Sequence, residues 1–302
     1  MRLRRSELST PGSSERMIQK AASSGADLVF LDLEDAVAPP EKVAARRKVV
    51  EAIRELDWGL KTVGVRVNAL DTEWGYDDLV EVVMGAGERL DVIILPKVKG
   101  AEDVRWVDRL LDQLEPKAGR KKPVGLEVLI EEVEALINVE AIAFSSRRLE
   151  ALIFGPGDFS ASQRIRHALA REYPGDPWHY ARNRIVVAAR AAGLDAVDGP
   201  YADFRNPEGY RTECLRAGYL GFDGKWAIHP SQIDIANEVF SPTAEEVEQA
   251  RRVVAAYEEA QAAGLGAVAV DGRMVDAASV RIARNVLAKA ELIERLRRNP
   301  PG

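Results

Sequence analysis

Short apolar runs that end in polar residues alternate along the chain with longer amphipathic stretches, the pattern of βα units around a parallel sheet. The apolar runs are Asp27–Asp32, Thr62–Val67, Asp91–Leu95, Val124–Val128, Leu152–Phe154, Asp195–Val197, Leu220–Asp223 and Trp226–His229. Several, such as Val92-Ile93-Ile94-Leu95, are apolar at consecutive positions, as strands buried on both faces are. Helical candidates fill most gaps: Glu15–Ser24, Pro40–Leu56, Asp77–Met84, Ala101–Leu114, Glu131–Val139, Trp178–Ala192 and Asn206–Ala217. Eight strands with intervening helices predict an α/β fold of the (β/α)8 TIM-barrel type. A doubly wound sheet is the alternative, but it normally announces itself by a Gly-rich turn after the first strand. The first run here continues Leu33-Glu34-Asp35-Ala36-Val37, without glycine.

After His229 the pattern changes. Thr243-Ala244-Glu245-Glu246 is a capping box opening a helix to about Ala263, and Ala267–Val270 and Arg273–Val275 flank Asp271-Gly272, a hairpin signal. A last amphipathic helix is predicted from about Ala277 to Arg297, and the end, Asn299-Pro300-Pro301-Gly302, is expected to fray. This tail is too small and too helical for a ninth barrel unit. Two domains follow: residues 1–241, the catalytic barrel, and 242–302, a C-terminal helical lid or oligomerisation segment.

The 302 residues are 46% hydrophobic and 30% charged, which suits a globular chain with a sizeable core. Lys plus Arg (42) against Asp plus Glu (48) leaves a net charge of −6, without the basic excess of a nucleic-acid binder. The single cysteine, Cys214, excludes a disulfide scaffold and a cysteine zinc cluster and fits a reducing compartment. Met1–Arg5 is basic like a signal peptide, but Ser6-Glu7-Leu8-Ser9-Thr10-Pro11 stands where an apolar stretch belongs. No apolar run approaches the ~18 residues of a membrane span. The expectation is a cytoplasmic protein without nucleic-acid or membrane partners.

In such barrels reactive groups project from the C-terminal ends of strands. The polar residues there are Glu34, Asp35, Arg66, Asn68, Lys97, Glu127, Asp158, Asp198, Asp223, Lys225 and His229. Glu127 interrupts the apolar Gly125–Ile130 and needs a partner or a metal if buried. Both readings stay open, a metal ligand or an interior salt bridge to Arg66 or Lys97. Asp158, within Phe154-Gly155-Pro156-Gly157-Asp158, is a metal ligand or a helix N-cap. Two carboxylates from neighbouring strands can hold Mg²⁺, with water and substrate oxygens completing the octahedron. Zinc is a poor fit, since His167, His179 and His229 lack zinc-site spacing. No Gly-x-Ser-x-Gly elbow, P-loop or catalytic-cysteine context occurs. Lys97 reads as an ion-pair partner of rim carboxylates in preference to a Schiff-base lysine.

The ordered motifs Leu31-Asp-Leu-Glu-Asp-Ala-Val37-Ala-Pro39, Val65-Arg-Val-Asn68, Leu95-Pro-Lys-Val98, Gly125-Leu-Glu-Val128, Asp198-Gly-Pro200, Gly221 through Ile233 and Asp271-Gly-Arg-Met-Val-Asp276 span nearly the whole chain. With them the sequence resembles the citrate lyase β-subunit-like lyases of the HpcH/HpaI aldolase superfamily, particularly the malyl-CoA and β-methylmalyl-CoA lyases. The resemblance implies a TIM-barrel enzyme with a C-terminal lid, dependent on Mg²⁺, with Mn²⁺ as an alternative ion. It would split a (3S)-3-hydroxyacyl-CoA into a 2-oxo acid and an acyl-CoA. It implies Glu127 and Asp158 as metal ligands and Arg66 as the cation at the reacting oxygens. Asp276 becomes an acid/base residue delivered by a neighbour's lid in a homotrimer or homohexamer. Two departures bear on CoA binding. Ser14 stands where many relatives carry arginine, with Arg16 later, and the short segment Ser160–Trp178 offers Arg164, Arg166 and Arg171 to CoA phosphates or to solvent. Citramalyl-CoA lyase, malyl-CoA thioesterase or malate synthase, an aldolase on free acids, and a citrate lyase β-type subunit of a larger complex remain as alternatives.

Overall fold

The computed structural model describes residues 2–172 and 175–298; the end expected to fray, 299–302, and the Arg171 side chain lie outside the described residues. Eight parallel strands close a barrel in sequence order: β1 (Ser6–Pro11), β2 (Leu28–Asp32), β3 (Thr62–Arg66), β4 (Val92–Leu95), β5 (Gly125–Ile130), β6 (Leu149–Phe154), β7 (Asp195–Asp198) and β8 (Gly224–Ala227), with β8 pairing back onto β1. The helices are α1 (Glu15–Ala22), α2 (Lys42–Glu55), α3 (Gly75–Gly85), α4 (Ala101–Lys117), α5 (Val133–Ile137), α6 (Val139–Ala143), α7 (Pro156–Ser162), α8 (His179–Ala192), α9 (Pro207–Leu220), α10 (Ile233–Val239), α11 (Ala244–Ala262) and α12 (Ala277–Arg298).

Eight strands were expected and eight form, but not the same eight. The expected strand Leu220–Asp223 is the end of α9 and its turn, because Gly221 takes the left-handed φ of 102° that caps the helix. The strand it displaced is β1, whose Ser6-Glu7-Leu8-Ser9-Thr10 looks like a loop by composition. Its polarity is consumed inside the protein: Trp226 Nε1 donates to Glu7 Oε2 at 2.8 Å, and Ser6 Oγ donates to Asn237 Oδ1 at 2.8 Å.

The barrel interior is filled by alternate residues of its strands, including Leu28, Phe30, Val92, Ile94, Leu129, Ile153, Val197 and Trp226. By that alternation Glu127, Leu129 and Glu131 share the inward side of β5, as Phe30 and Asp32 do on β2. The floor is thus charged, the middle apolar and the mouth charged again.

The chain divides into two compact units after Asn237. In the second, the Thr243 hydroxyl accepts from Glu246 N at 3.1 Å while the Glu246 carboxylate accepts from Thr243 N at 2.7 Å, the expected capping box. Asp271 and Gly272 both have positive φ, 50° and 75°, and turn the antiparallel hairpin of β9 (Val268–Val270) and β10 (Arg273–Val275). Tyr257, Val275 and Val280 form its small core.

Candidate active site

At the C-terminal mouth the best-anchored group is Arg66, the last residue of β3. Asp32 of β2 accepts from its Nε at 2.7 Å and its Nη2 at 2.6 Å, a planar two-bond pairing that fixes the guanidinium. The same buried carboxylate accepts from the amides of Glu34 (2.9 Å) and Ala36 (3.1 Å), so it also shapes the following loop. The remaining end, Nη1, lies 2.9 Å from Glu34 Oε2 and 3.7 Å from Asp35, and Trp226 lies under the guanidinium at 5.5 Å. Burial pushes the Glu34 carboxyl up to about 7 despite Arg66.

Beyond Glu34 stands an acidic pair bridged by Lys97. The Lys97 ammonium is 2.7 Å from Asp158 Oδ1, 3.6 Å from Glu34 and 3.9 Å from Glu131. Its backbone has a φ of 53°, and its amide donates to Glu131 Oε1 at 2.8 Å. Burial pushes Glu131 up to about 7, with Lys97 offsetting only part of the effect. Burial would lower the Lys97 pKa, but Glu131, Asp158 and Glu34 together raise it. Gly155 makes room for this carboxylate: a Cβ there would come within 2.5 Å of Glu131 Cβ. Asp158 is in the first turn of α7 and is not its N-cap, which is Gly155, leaving its side chain 41% exposed and available.

Asn68 supports the loop between them. It donates to Asp78 at 2.6 Å and accepts from Lys42 Nζ at 2.5 Å, and Lys42 also donates to the carbonyls of Leu33 and Glu34. A cavity of about 510 Å³ opens here, lined among others by Glu34, Lys42, Asn68, Trp74, Lys97 and Lys99.

The structure corrects the assignment of Glu127. Its carboxylate is fully buried and accepts from Arg4 Nε at 2.9 Å, and the same guanidinium bonds Glu150 and Asp195 near the starts of β6 and β7. Glu127 therefore belongs to the barrel floor, paired with Arg4 and not with Arg66 or Lys97. Glu131, four residues on, points the same way but about 13 Å further up the strand. Glu131, not Glu127, meets Asp158 at Lys97. It was missed because β5 runs to Ile130, two residues beyond its expected end.

Asp198 is corrected too. It is fully buried at the helix layer, 3.0 Å from Arg182 of α8 and 2.5 Å from Lys225, and these cations hold its pKa down despite burial. His229 is exposed, stacked on Phe204 at 4.8 Å with Nδ1 2.8 Å from Ser231 Oγ. Asp35 is exposed on its loop, as are Arg16 on α1 and Arg164 and Arg166 after α7. In the second unit Asp276 accepts from Ala278 N (3.0 Å), Ser279 N (2.9 Å) and Ser279 Oγ (3.0 Å). It thus caps the start of α12, and the Ser279 bonds hold its pKa down.

Glu131 and Asp158 fit a hard divalent cation: both are oxygen donors, they follow the adjacent strands β5 and β6 at the barrel mouth, and burial leaves Glu131 short of compensating charge. Among the described residues no group of three or more His, Cys, Asp and Glu side chains is placed to hold a metal. Among them, too, no helix is long and apolar enough to cross a membrane.

An anchored guanidinium joined through Glu34 and Lys97 to a carboxylate pair at the mouth of a (β/α)8 barrel has the make-up of an enzyme site. The model of the HpcH/HpaI aldolase/citrate lyase family matches residues 5–230, and the chain belongs to that family. It is 45% identical over 96% of both chains to the L-malyl-CoA/beta-methylmalyl-CoA lyase of Rhodobacter capsulatus. It is 40% identical to a (3S)-malyl-CoA thioesterase of Cereibacter sphaeroides, over 96% of this chain and 95% of that one. Among solved structures, protein CitE from Mycobacterium tuberculosis in complex with magnesium, acetoacetate and coenzyme A superposes with a TM-score of 0.77 at 30% identity, covering 95% of this chain and 97% of the other.

Proposed function

We propose that the protein is a Mg²⁺-dependent carbon–carbon lyase that reversibly cleaves L-malyl-CoA or β-methylmalyl-CoA to glyoxylate and acetyl-CoA or propionyl-CoA. The observation that carries this reading is the mouth geometry. Asp32 fixes Arg66 with both oxygens while Glu131 and Asp158 gather at Lys97, which shares Glu34 with Arg66, in a chain whose relatives carry the corresponding names.

Cleavage breaks the bond between the hydroxyl-bearing carbon and the carbon α to the thioester. The hydroxyl loses its proton as the bonding pair passes to the acyl-CoA as an enolate. Mg²⁺ held by Glu131 and Asp158, with Mn²⁺ serving the same oxygen donors, would polarise the oxygens of the malyl unit. Arg66 turns its Nη1 end to the thioester oxygen, where negative charge grows, and Asp32 prevents it from swinging away. Glu34, its pKa pushed up to about 7 beside Arg66, takes the hydroxyl proton in its ionised form.

Asp276 serves as the acid/base residue at the α carbon, delivered by a neighbouring subunit's C-terminal unit in a homotrimer or homohexamer. In the condensation direction its carboxylate is the group that takes the α proton. Arg16, Arg164 and Arg166 are exposed cations available to CoA phosphates. The setting is cytoplasmic.

Mass-spectrometric product analysis with glyoxylate, Mg²⁺ and acetyl-CoA or propionyl-CoA in turn tests the reading. Malyl-CoA or β-methylmalyl-CoA is the expected product. Free malate with CoA indicates the thioesterase or malate synthase outcome, condensation with pyruvate alone indicates a citramalyl-CoA lyase, and inactivity of the isolated chain indicates a subunit of a larger complex.

A further inference from the structure

Three carboxylates of the mouth converge on one ammonium. Lys97 Nζ is 2.7 Å from Asp158, 3.6 Å from Glu34 and 3.9 Å from Glu131. The backbone goes out of its way to put it there. Lys97 adopts a φ of 53°, a left-handed conformation that non-glycine residues rarely take, and the amide so presented donates to Glu131 Oε1 at 2.8 Å. One residue therefore binds Glu131 through its amide and Asp158 through its side chain. The side chain is 23% exposed and lines the 510 Å³ cavity, so it has somewhere to go.

We propose that Lys97 is the built-in counter-ion of the metal pair: it neutralises Glu131 and Asp158 in the metal-free chain and yields them to the divalent cation, passing to Glu34. This rests on the reading of Glu131 and Asp158 as the metal-holding pair. The physical reason is competition. In the metal-free chain two carboxylates facing each other would repel, and the ammonium removes that cost and keeps the site formed. A divalent ion on the same two carboxylates would lie a few ångströms from the ammonium, and like charges at that range in a partly buried site repel strongly. Glu34 is within reach as the alternative partner. Lys97 thereby sets the affinity for metal below what the carboxylates alone would give.

The consequence runs against intuition, because deleting a conspicuous charged residue from an active site should tighten metal binding. Calorimetric titration of Mg²⁺ into the metal-free full-length protein at pH 8 provides the test. Lys97→Met should bind Mg²⁺ about tenfold more tightly or better than wild type. Lys97→Gln, which keeps a polar contact to Asp158 without the charge, should do the same if the methionine variant folds poorly. Lys97→Arg, which keeps the charge, should stay within about threefold of wild type. The Mg²⁺-induced rise in melting temperature should be larger for the uncharged variants than for wild type. Unchanged or weaker Mg²⁺ binding by folded Lys97→Met and Lys97→Gln overturns the exchange while leaving the metal site intact. Wild-type protein that binds no Mg²⁺, with Glu131→Gln behaving identically, overturns the metal reading itself.

Discussion

The two ends of the barrel are built from the same chemistry and do opposite things. At the floor one guanidinium, Arg4, 2% exposed in its side chain, holds Glu127, Glu150 and Asp195 by hydrogen bonds, with Glu7 at 3.7 Å. At the mouth the cations Arg66 and Lys97 face Asp32, Glu34, Glu131 and Asp158, but here Lys97 is 23% and Asp158 41% exposed beside an open cavity. Buried ion clusters cost desolvation and are kept intact by mutual pairing. The same groups at a wet rim keep a free side for a ligand. Pairing and place along the strand, not residue type, separate a structural carboxylate from a functional one: Glu127 and Glu131 are both buried on one strand, but Glu127 is bound by Arg4 at 2.9 Å whereas the ammonium of Lys97 stands 3.9 Å from Glu131 beside the half-exposed Asp158.

Apart from the metal pair itself, the largest loss should come from outside both clusters. Asp276→Ala should lower kcat by about 10²–10⁴ if it is the acid/base group. Loss of the α12 cap alone would cost about 1 kcal/mol of stability and leave turnover intact. Mixed oligomers of Asp276→Ala and Glu131→Gln subunits should regain activity where an intact lid covers an intact metal site, and assays after verified subunit exchange measure this. At the floor, Arg4→Met leaves a group of carboxylates without their cation. It should cost about 3–5 kcal/mol in denaturant unfolding without altering kcat per folded molecule. At the mouth, Arg66→Lys keeps charge but loses the two-bond fork to Asp32. It should cost about 3 kcal/mol in transition-state stabilisation, roughly 10² in kcat/KM, at nearly unchanged melting temperature.

The smallest effect is a pH dependence at the mouth. Glu34 and Glu131 have folded-state pKa values pushed up to about 7, above those of the unfolded chain. The stability this brings is full below the ordinary carboxylate range and is lost as pH rises through about 7. Mg²⁺ affinity runs the other way, falling by about tenfold per pH unit below about 7 as a proton competes for Glu131. Thermal melts of metal-free and Mg²⁺-loaded protein between pH 5 and 9 should therefore diverge as pH rises.

The architecture was legible because the barrel's outer shell enforces apolar runs, and β2 to β5 stand out by their Val, Ile and Leu content. The first strand was not, because β1 spends polar residues on the charged floor, and a polar strand has no composition signal. Leu220–Asp223 misled for the converse reason: apolar residues at a helix end look like a strand until Gly221 is seen to take its positive φ. In the site, Arg66, Lys97 and Asp158 were readable as polar residues at strand ends. Glu131 was not separable from Glu127, since residues four apart on a strand share a face and only the strand's end decides which reaches the mouth. Asp32 was read as the close of a strand, and its role depends on a partner 34 residues away. Asp198 ends its strand as a rim residue would, but it lies outside the barrel interior under α8.

The most direct test sets Glu131→Gln beside Glu127→Gln in Mg²⁺ titration calorimetry, with kcat and the melting temperature measured on the same preparations. The account predicts that Glu131→Gln stays folded, binds no Mg²⁺ and does not turn over, whereas Glu127→Gln shifts only the melting temperature and keeps wild-type Mg²⁺ affinity and kcat. Loss of Mg²⁺ binding in Glu127→Gln with wild-type binding in Glu131→Gln would contradict it.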